Sequence, residues 1–325
     1  MSITHLTHDR RQNVVGLGLA LFSAATFGTS GTFADSLMNT GWTPGAVVTA
    51  RIVLGAIFLT GPGLYALRGR WHLARRSLRS VLAFGLCAVA GCQFFFFNAV
   101  QHLDVGVALL LEYSGILLVV AWMWLRHGHR PRTLTIVGGV AAIVGLVLVL
   151  NPSGGNMDLL GVMWALFAAC GLAVYFVMSS NSDDDALPPI ALSWLAMCVG
   201  AVTLVVLDLA RALPFRMHTS DVSLASHQVS WIVPVLGLSF VAAAVAYAAG
   251  IGAARLLGAK LASFAGLTEV LFAVLFAWIA LGQQPTLVQL LGGVGVLVGI
   301  ALVRTDEVAA PATDDVDAAP ERVPA

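Results

Sequence analysis

Long apolar runs separated by short polar turns repeat along the chain from Val14 to Val303. Ten runs can be drawn, at about 14–33, 44–67, 81–100, 105–125, 134–150, 159–178, 188–209, 231–253, 259–281 and 287–303. Each is near the length of about 20 residues that a helix needs to cross a bilayer. Between them lie a basic loop around Arg68–Arg79, a turn at Arg126–Arg132 and the turn Asn151–Asn156. An acidic loop at Ser179–Asp185 and the longest loop, Ala210–Ser230, follow. The first apolar run continues past the short core of a cleavable signal peptide, so it is expected to remain as the first span.

The chain states one half of itself twice. At one fixed offset, Ala99–Val149 falls without a gap on Ala253–Val303. Trp124 then meets Trp278, Gly128 meets Gly282, Pro131 meets Pro285 and Gly145 meets Gly299. Ala165, Leu166 and Phe167 in the sixth run echo Ala20, Leu21 and Phe22 in the first. A period this long predicts a duplicated half rather than a solenoid. The expected divisions are a tail at 1–13, a five-helix repeat at 14–150, a second at 151–303 and a tail at 304–325. The last segment, rich in Ala, Pro, Asp and Glu, cannot bury a core and is expected to be disordered. Five spans per copy is an odd number, so the second copy enters the membrane from the opposite side. Inverted repeats of this kind recur in secondary transporters, with substrate held near the midplane between the halves.

Composition strengthens the membrane reading and narrows it. Hydrophobic residues make up 58% of the chain and charged residues 10%, with a mean hydropathy of +0.89. A soluble domain carries about 25% charged residues. With few polar residues for a lumen and no alternating ten-residue strands, a β-barrel is not expected. Helices, which satisfy their own backbone in lipid, remain. The fold class is therefore an all-α polytopic membrane protein of about ten transmembrane helices in two inverted five-helix repeats. Net charge is zero, but its distribution orients the chain: 14 of the 17 Lys and Arg residues fall on the N-terminal side of the bilayer. Only Arg211 and Arg216 fall in the opposite loops, so both termini are expected in the cytoplasm of a bacterial-type inner membrane.

Charge within the spans selects the candidate chemistry, because each such group costs about 2.5–3.5 kcal/mol on insertion scales. Arg51, Glu112 and Glu269 are these groups. Arg51 and Glu112 lie at similar depth in parallel runs and could pair; Glu269 lies near the midplane. The bland alternatives are a structural ion pair or snorkelling for Arg51, and helix–helix hydrogen bonding for the two acids. Softer polar groups surround them: Gln93, Asn98, Tyr113, Ser114, Tyr175, Tyr247 and Thr268, each more often an interhelical hydrogen bond than a ligand. Ser114 falls on Thr268 under the repeat offset, and Glu112 falls on Gly266, one turn from Glu269. Cys87, Cys92, Cys170 and Cys198 read as small packing residues, Phe94–Phe97 as packing, and Trp42, Trp71 and Trp231 as an interfacial belt. No phosphate-binding loop, zinc motif or nucleophile elbow is present, so no enzyme, metal or cofactor is expected.

On these residues the chain resembles the drug/metabolite transporter superfamily, specifically its EamA-type exporters. The likeness covers about Val14 to Val303. It rests on the two five-helix repeats, Arg51 midway through the second run, and Leu111-Glu112-Tyr113 in the fourth. Leu267-Thr268-Glu269 and Gln289-Leu290-Leu291-Gly292-Gly293 complete it. Two places depart from the family pattern. Ile116 and Val270 stand where a proline is common, so no proline kinks either helix, and His129 and Gln283 replace an acidic residue in the following turns. The resemblance implies export of small metabolites by alternating access around a central cavity, most simply amino acids of the threonine/homoserine or aromatic kind. Arg51 would face a carboxylate or hold Glu112. Glu269 would meet the amino group or carry a proton, with Glu112 as a second coupling carboxylate. Asn98, Tyr113, Tyr175, Tyr247 and Thr268 would complete the cavity. Efflux of lipophilic cations, with Glu112 and Glu269 as counter-charges, is the alternative, and a non-transporting scaffold or sensor a remote one. The expected partners are a small-molecule substrate and the lipid bilayer, with no nucleic acid. Five helices per copy already close a pseudo-dimer, so a monomer suffices.

Overall fold

The computed structural model describes residues 3–115, 117, 125, 133–150, 158–179 and 187–309. Most of the second half of the fourth run, the turn at Arg126–Arg132, the Asn151–Asn156 turn, the acidic loop and the C-terminal tail lie outside them. Among the described residues, five helices are long and apolar enough to cross a bilayer, and four shorter apolar helices accompany them. The chain is an all-α polytopic bundle.

The first helix is Ile3–Met38. Thr43 caps the second, Pro44–Leu67, accepting from Ala46 N, and Pro44 occupies the first turn, where it blocks no helical hydrogen bond. The third span is built from Leu78–Ala83, a π-helical stretch Phe84–Gly91, and Cys92–Val100. The fourth begins at Val105–Tyr113, the fifth is Thr133–Leu150, the sixth Leu159–Ser179 and the seventh Pro189–Leu209. The eighth comprises Ile232–Leu236, a second π-helical stretch Gly237–Val245, and Ala246–Gly266. Thr268–Leu281 and Leu287–Ala309 are the ninth and tenth.

The duplication is visible in detail. The offset that aligns the two sequence copies carries Leu78 onto Ile232 and the π-helical stretch of the third span onto that of the eighth. It also aligns two interruptions, one after Tyr113 and one at Leu267, to within a residue. Glycine contacts give the handedness of the relation. Gly145 lies against Gly292 and Val296, and Gly299 against Gly138 and Ala142. Rising positions on the fifth helix meet falling positions on the tenth, so equivalent helices of the two copies run antiparallel. Gly55 against Met197 and Ala243, and Gly200 against Ile52 and Val89, repeat that symmetry on the second and seventh helices.

Three expectations are corrected. The polar segment between the eighth and ninth runs is helical, and the ninth run, like the fourth, is interrupted, here at Leu267 before Thr268–Leu281. Ala254, Arg255, Leu256 and Leu257 are good helix formers, so polarity there does not mean a turn. Ala253 and Ala265 share one small cluster with Ala20, whereas a straight helix would hold them about 18 Å apart; the segment bends back. Second, the Ala210–Ser230 loop contains a hairpin, β1 (Val222–Leu224) antiparallel to β2 (His227–Val229), with Ser223 opposite Gln228. Ala225 and Ser226, at φ 49 and φ 63, form its two-residue left-handed turn. Third, Trp42 is no belt residue: it is 2% exposed, donates to His218 O at 2.7 Å and packs on Trp231 at 6.0 Å. The loop closes over it. Trp71, by contrast, is half exposed.

Candidate functional site

Five spans converge on a polar centre. Its cavity, about 40 Å³, is lined by Gly28, Ser30 and Gly31 of the first span, Arg51 of the second, and Gln93 and Phe96 of the third. Val105, Leu109 and Glu112 of the fourth, with Glu269 and Ala273 of the ninth, complete the wall, and Phe27 lies beside them. All three ionisable residues singled out in the spans therefore face one space. That space holds roughly three waters, far below the about 300–1,000 Å³ of sites that enclose an organic ligand. The cavity is contracted in this conformation.

Arg51 is 3% exposed and is held by neutral groups. Its Nη1 donates to Ser30 Oγ and to Gln93 Oε1 at 2.6 Å; Nη2 donates to Ala242 O at 2.9 Å. Ala242 lies in the π-helical stretch of the eighth span, whose widened turns loosen the usual backbone pairing. The guanidinium also stands 5.5 Å from the centre of the Phe97 ring, a cation–π contact. Arg51 and Glu112 thus share the cavity, and their hydrogen bonds go elsewhere. Glu112, 5% exposed, accepts from the Cys92 thiol at 3.1 Å through Oε1. Cys92 also reaches Ala168 O at 3.4 Å.

Glu269 is bound by Tyr113, whose hydroxyl is 2.9 Å from Oε2 and 3.2 Å from Gly266 O. Both acids stand beside helix interruptions made without proline. Ser114 Oγ donates to Leu111 O at 2.6 Å, and Thr268 Oγ1 donates to Ala265 O at 2.5 Å. These are the same bond at equivalent positions of the two copies. Hydroxyl groups that capture a carbonyl one turn back compete with the helical ladder and bend it. The backbone adds a tight bond in each copy, Leu117 N to Ser114 O at 2.8 Å and Val270 N to Leu267 O at 3.3 Å. The helical ladder is thus interrupted in both copies without a proline.

The scaffold is symmetric and the charge is not. By the symmetric contacts of Gly55 with Met197 and Gly200 with Ile52, Arg51 corresponds to Ala196; by the sequence offset, Glu112 corresponds to Gly266 and Glu269 to Gly115. Each ionisable group has a small residue as its image, so one half supplies the site's charge where the other supplies clearance.

Of the remaining candidates, Thr268 serves the ninth-span interruption, and Asn98 donates to its own helix at Phe94 O, 2.7 Å away. Tyr247 is buried edge-on to Phe27, ring centres 4.9 Å apart. None of the three is among the residues lining the cavity. The Tyr175 side chain lies outside the described residues. Sequence reasoning missed Ser30, the Cys92 thiol and the carbonyl of Ala242, and took Phe96 and Phe97 for packing alone. Phe94 and Phe95 do pack, against Trp164.

Towards the end that carries the hairpin, the cavity is shut by close contacts of Gly31 with Val105 and of Gly106 with Val274. Gln283 Oε1 accepts from Val105 N at 3.1 Å, so this residue ties the ninth span to the fourth although it lacks the family's charge. Asp104, next to Val105, has its carboxyl raised above the ordinary range by burial. Asp158 caps the sixth span, accepting from Leu160 N and Gly161 N and meeting His102 Nδ1 at 2.8 Å. The Gly161 amide first, then His102 and Leu160, hold its carboxyl below the usual range.

Comparison with known proteins agrees with this architecture. The chain is 22% identical to the "Uncharacterized inner membrane transporter YicL" of Salmonella typhimurium, covering 90% of this chain and 95% of that one. It is 22% identical to an "Uncharacterized transporter" of Clostridium kluyveri, over 79% and 82% of the two chains. It is 26% identical to the "Threonine/homoserine exporter RhtA" of Escherichia coli, over 51% of this chain and 54% of that one. A solved crystal structure shares the fold with a TM-score of 0.58 at 19% identity, covering 88% of this chain and 95% of that one. The sequence model of the EamA-like transporter family matches twice, at residues 14–151 and 159–305; the chain is a membrane protein of the EamA-like transporter family.

Proposed function

We propose that this transporter exports a small zwitterion, an amino acid of the threonine or homoserine kind, by alternating access and in exchange for protons. The observation that carries the reading is the single cavity where Arg51, Glu112 and Glu269 converge. Among the described residues the hydrogen-bond partners of Arg51 are neutral, so its charge is available to a substrate carboxylate. Glu269 is the group for the ammonium or for the coupling proton, and Glu112 is a second coupling carboxylate. The relative named as a threonine/homoserine exporter supports the substrate class. The excess of Lys and Arg supports a cell-membrane chain with both termini cytoplasmic and the hairpin end outside. One chain supplies every residue of the cavity wall, which supports a monomer as the working unit.

The test is efflux from proteoliposomes loaded with labelled threonine, phenylalanine or a cationic dye, with and without a pH gradient. Amino-acid efflux that follows the gradient and falls at least about tenfold in Glu269→Gln is expected. Glu269→Gln with wild-type flux and wild-type pH dependence sinks the carrier role. Dye efflux alone moves the assignment to lipophilic cations, for which two carboxylates beside Phe27 and Phe96 would be the binding surface.

A further inference from the structure

In a continuous helix Val270 N would donate to Gly266 O. Here it donates to Leu267 O at 3.3 Å, and the carbonyl of Gly266 is met instead by the Tyr113 hydroxyl from the other repeat. The same hydroxyl lies within bonding distance of Glu269 Oε2. A phenol carries one proton, an ionised carboxylate can only accept, and a neutral carboxyl can donate. Tyr113 therefore cannot donate to both oxygens, and the protonation state of Glu269 decides which one it serves.

We propose that Tyr113 is a positioning residue that transmits the protonation state of Glu269 to the helix interruption at Leu267. The inference deepens the proton-coupled reading above and rests on it. With Glu269 neutral, its O–H donates to the Tyr113 oxygen, Tyr113 donates to Gly266 O, and the interruption is held open. When Glu269 releases its proton, Tyr113 turns its own proton to Oε2. Gly266 O then loses that donor inside the membrane, where an unpaired carbonyl is costly. Val270 N is the nearest backbone replacement in sequence, and the helix recloses toward it. One proton leaves Glu269 and none leaves Tyr113. The interruption lies within the ninth run, as its counterpart after Tyr113 lies within the fourth, so each proton event alters the helix that carries Glu269.

Glu269 is faced by other groups that bear on the titration. Arg51 approaches from the second span and Glu112 from the fourth. Cys92 of the third span acts through its bond to Glu112, and Tyr247 of the eighth packs on Phe27 nearby. The first span contributes Ser30 and no titratable side chain to the cavity wall. Tyr113 is distinguished from all of these by touching both the carboxyl and the freed carbonyl.

The test follows backbone amide exchange across residues 266–271, corrected for intrinsic rates, from about pH 5 to about pH 9. It uses the reconstituted wild type, Tyr113→Phe and Glu269→Gln, with threonine efflux measured on the same samples. Wild-type protection is expected to rise at least about threefold with pH, as Val270 N regains its partner. In both variants protection should not change with pH, and Tyr113→Phe should lose maximal rate with KM little altered. Pure loss of packing would not remove the pH dependence. If Glu269→Gln removes it while Tyr113→Phe keeps the wild-type profile, Tyr113 is not the transmitter although Glu269 still titrates. If Glu269→Gln itself keeps the profile, the carrier reading fails first. Should Tyr113→Phe not assemble, 3,5-difluorotyrosine at position 113 preserves shape and strengthens the donor. The exchange profile must then move to lower pH, and an unmoved profile overturns the proposal.

Discussion

Arg51 shows how a buried charge is held when its solvation comes from several helices at once. Its three hydrogen-bond acceptors belong to the first, third and eighth spans. The planar guanidinium reaches them in fixed directions, and a lysine ammonium on its shorter stem does not. Arg51→Lys keeps the charge but leaves acceptors without donors, at about 1–3 kcal/mol for each buried group. The expected result is a transporter that inserts, melts at lower temperature and shows KM for its amino acid raised at least about tenfold. Wild-type KM in Arg51→Lys would mean that charge alone, without the fork of donors, suffices at this position.

At the scale of elements, the fifth and tenth helices meet through glycine because nothing larger fits. A Cβ on Gly145 would lie 2.5 Å from Gly292 O, and one on Gly292 would lie 2.6 Å from Gly145 O. Neighbouring Gly139 meets nothing within 4 Å. Gly145→Ala must push two backbones apart, and overpacking of this kind costs about 1–3 kcal/mol. Thermal unfolding in detergent should show a lower midpoint for Gly145→Ala and an unchanged or higher one for Gly139→Ala. Equal midpoints would show that the two helices separate freely. The spans that carry the acids use another device: Ser114 and Thr268 interrupt their helices with hydroxyl groups in place of proline. Such an interruption can be remade by exchanging one hydrogen bond, which a proline ring forbids.

For the whole molecule, antiparallel packing of equivalent helices requires each copy to cross the membrane an odd number of times. The two termini must then lie on one side. Reporter fusions active only in the cytoplasm, placed after Ala325 and before Met1, should both give signal, while a fusion in the Ala210–Ser230 loop should not. Signal from one terminus alone would overturn the ten-span topology. The contracted cavity fits the same picture, since entry from the hairpin end requires contacts such as Gly31 with Val105 to come apart.

Membrane class, helical architecture, duplication and the odd number of spans per copy were all legible in the chain. They depend on summed hydropathy and on one sequence offset, which no tertiary contact alters. Arg51, Glu112 and Glu269 were legible for a related reason: an ionisable group in an apolar run is costly wherever its helix packs. Tertiary structure decided which groups met. It gave Arg51 to Ser30, Gln93 and Ala242 O rather than to Glu112, turned Cys92 from a packing residue into a donor, and buried Trp42 beneath a loop 176 residues away. It also interrupted two helices where no proline announced it. Each of these outcomes rests on a hydrogen bond between helices distant in sequence, or on a local competition between hydroxyl and backbone. Hydropathy and periodicity record which face of a helix is apolar. They do not record which atom of another helix comes within 3 Å of it.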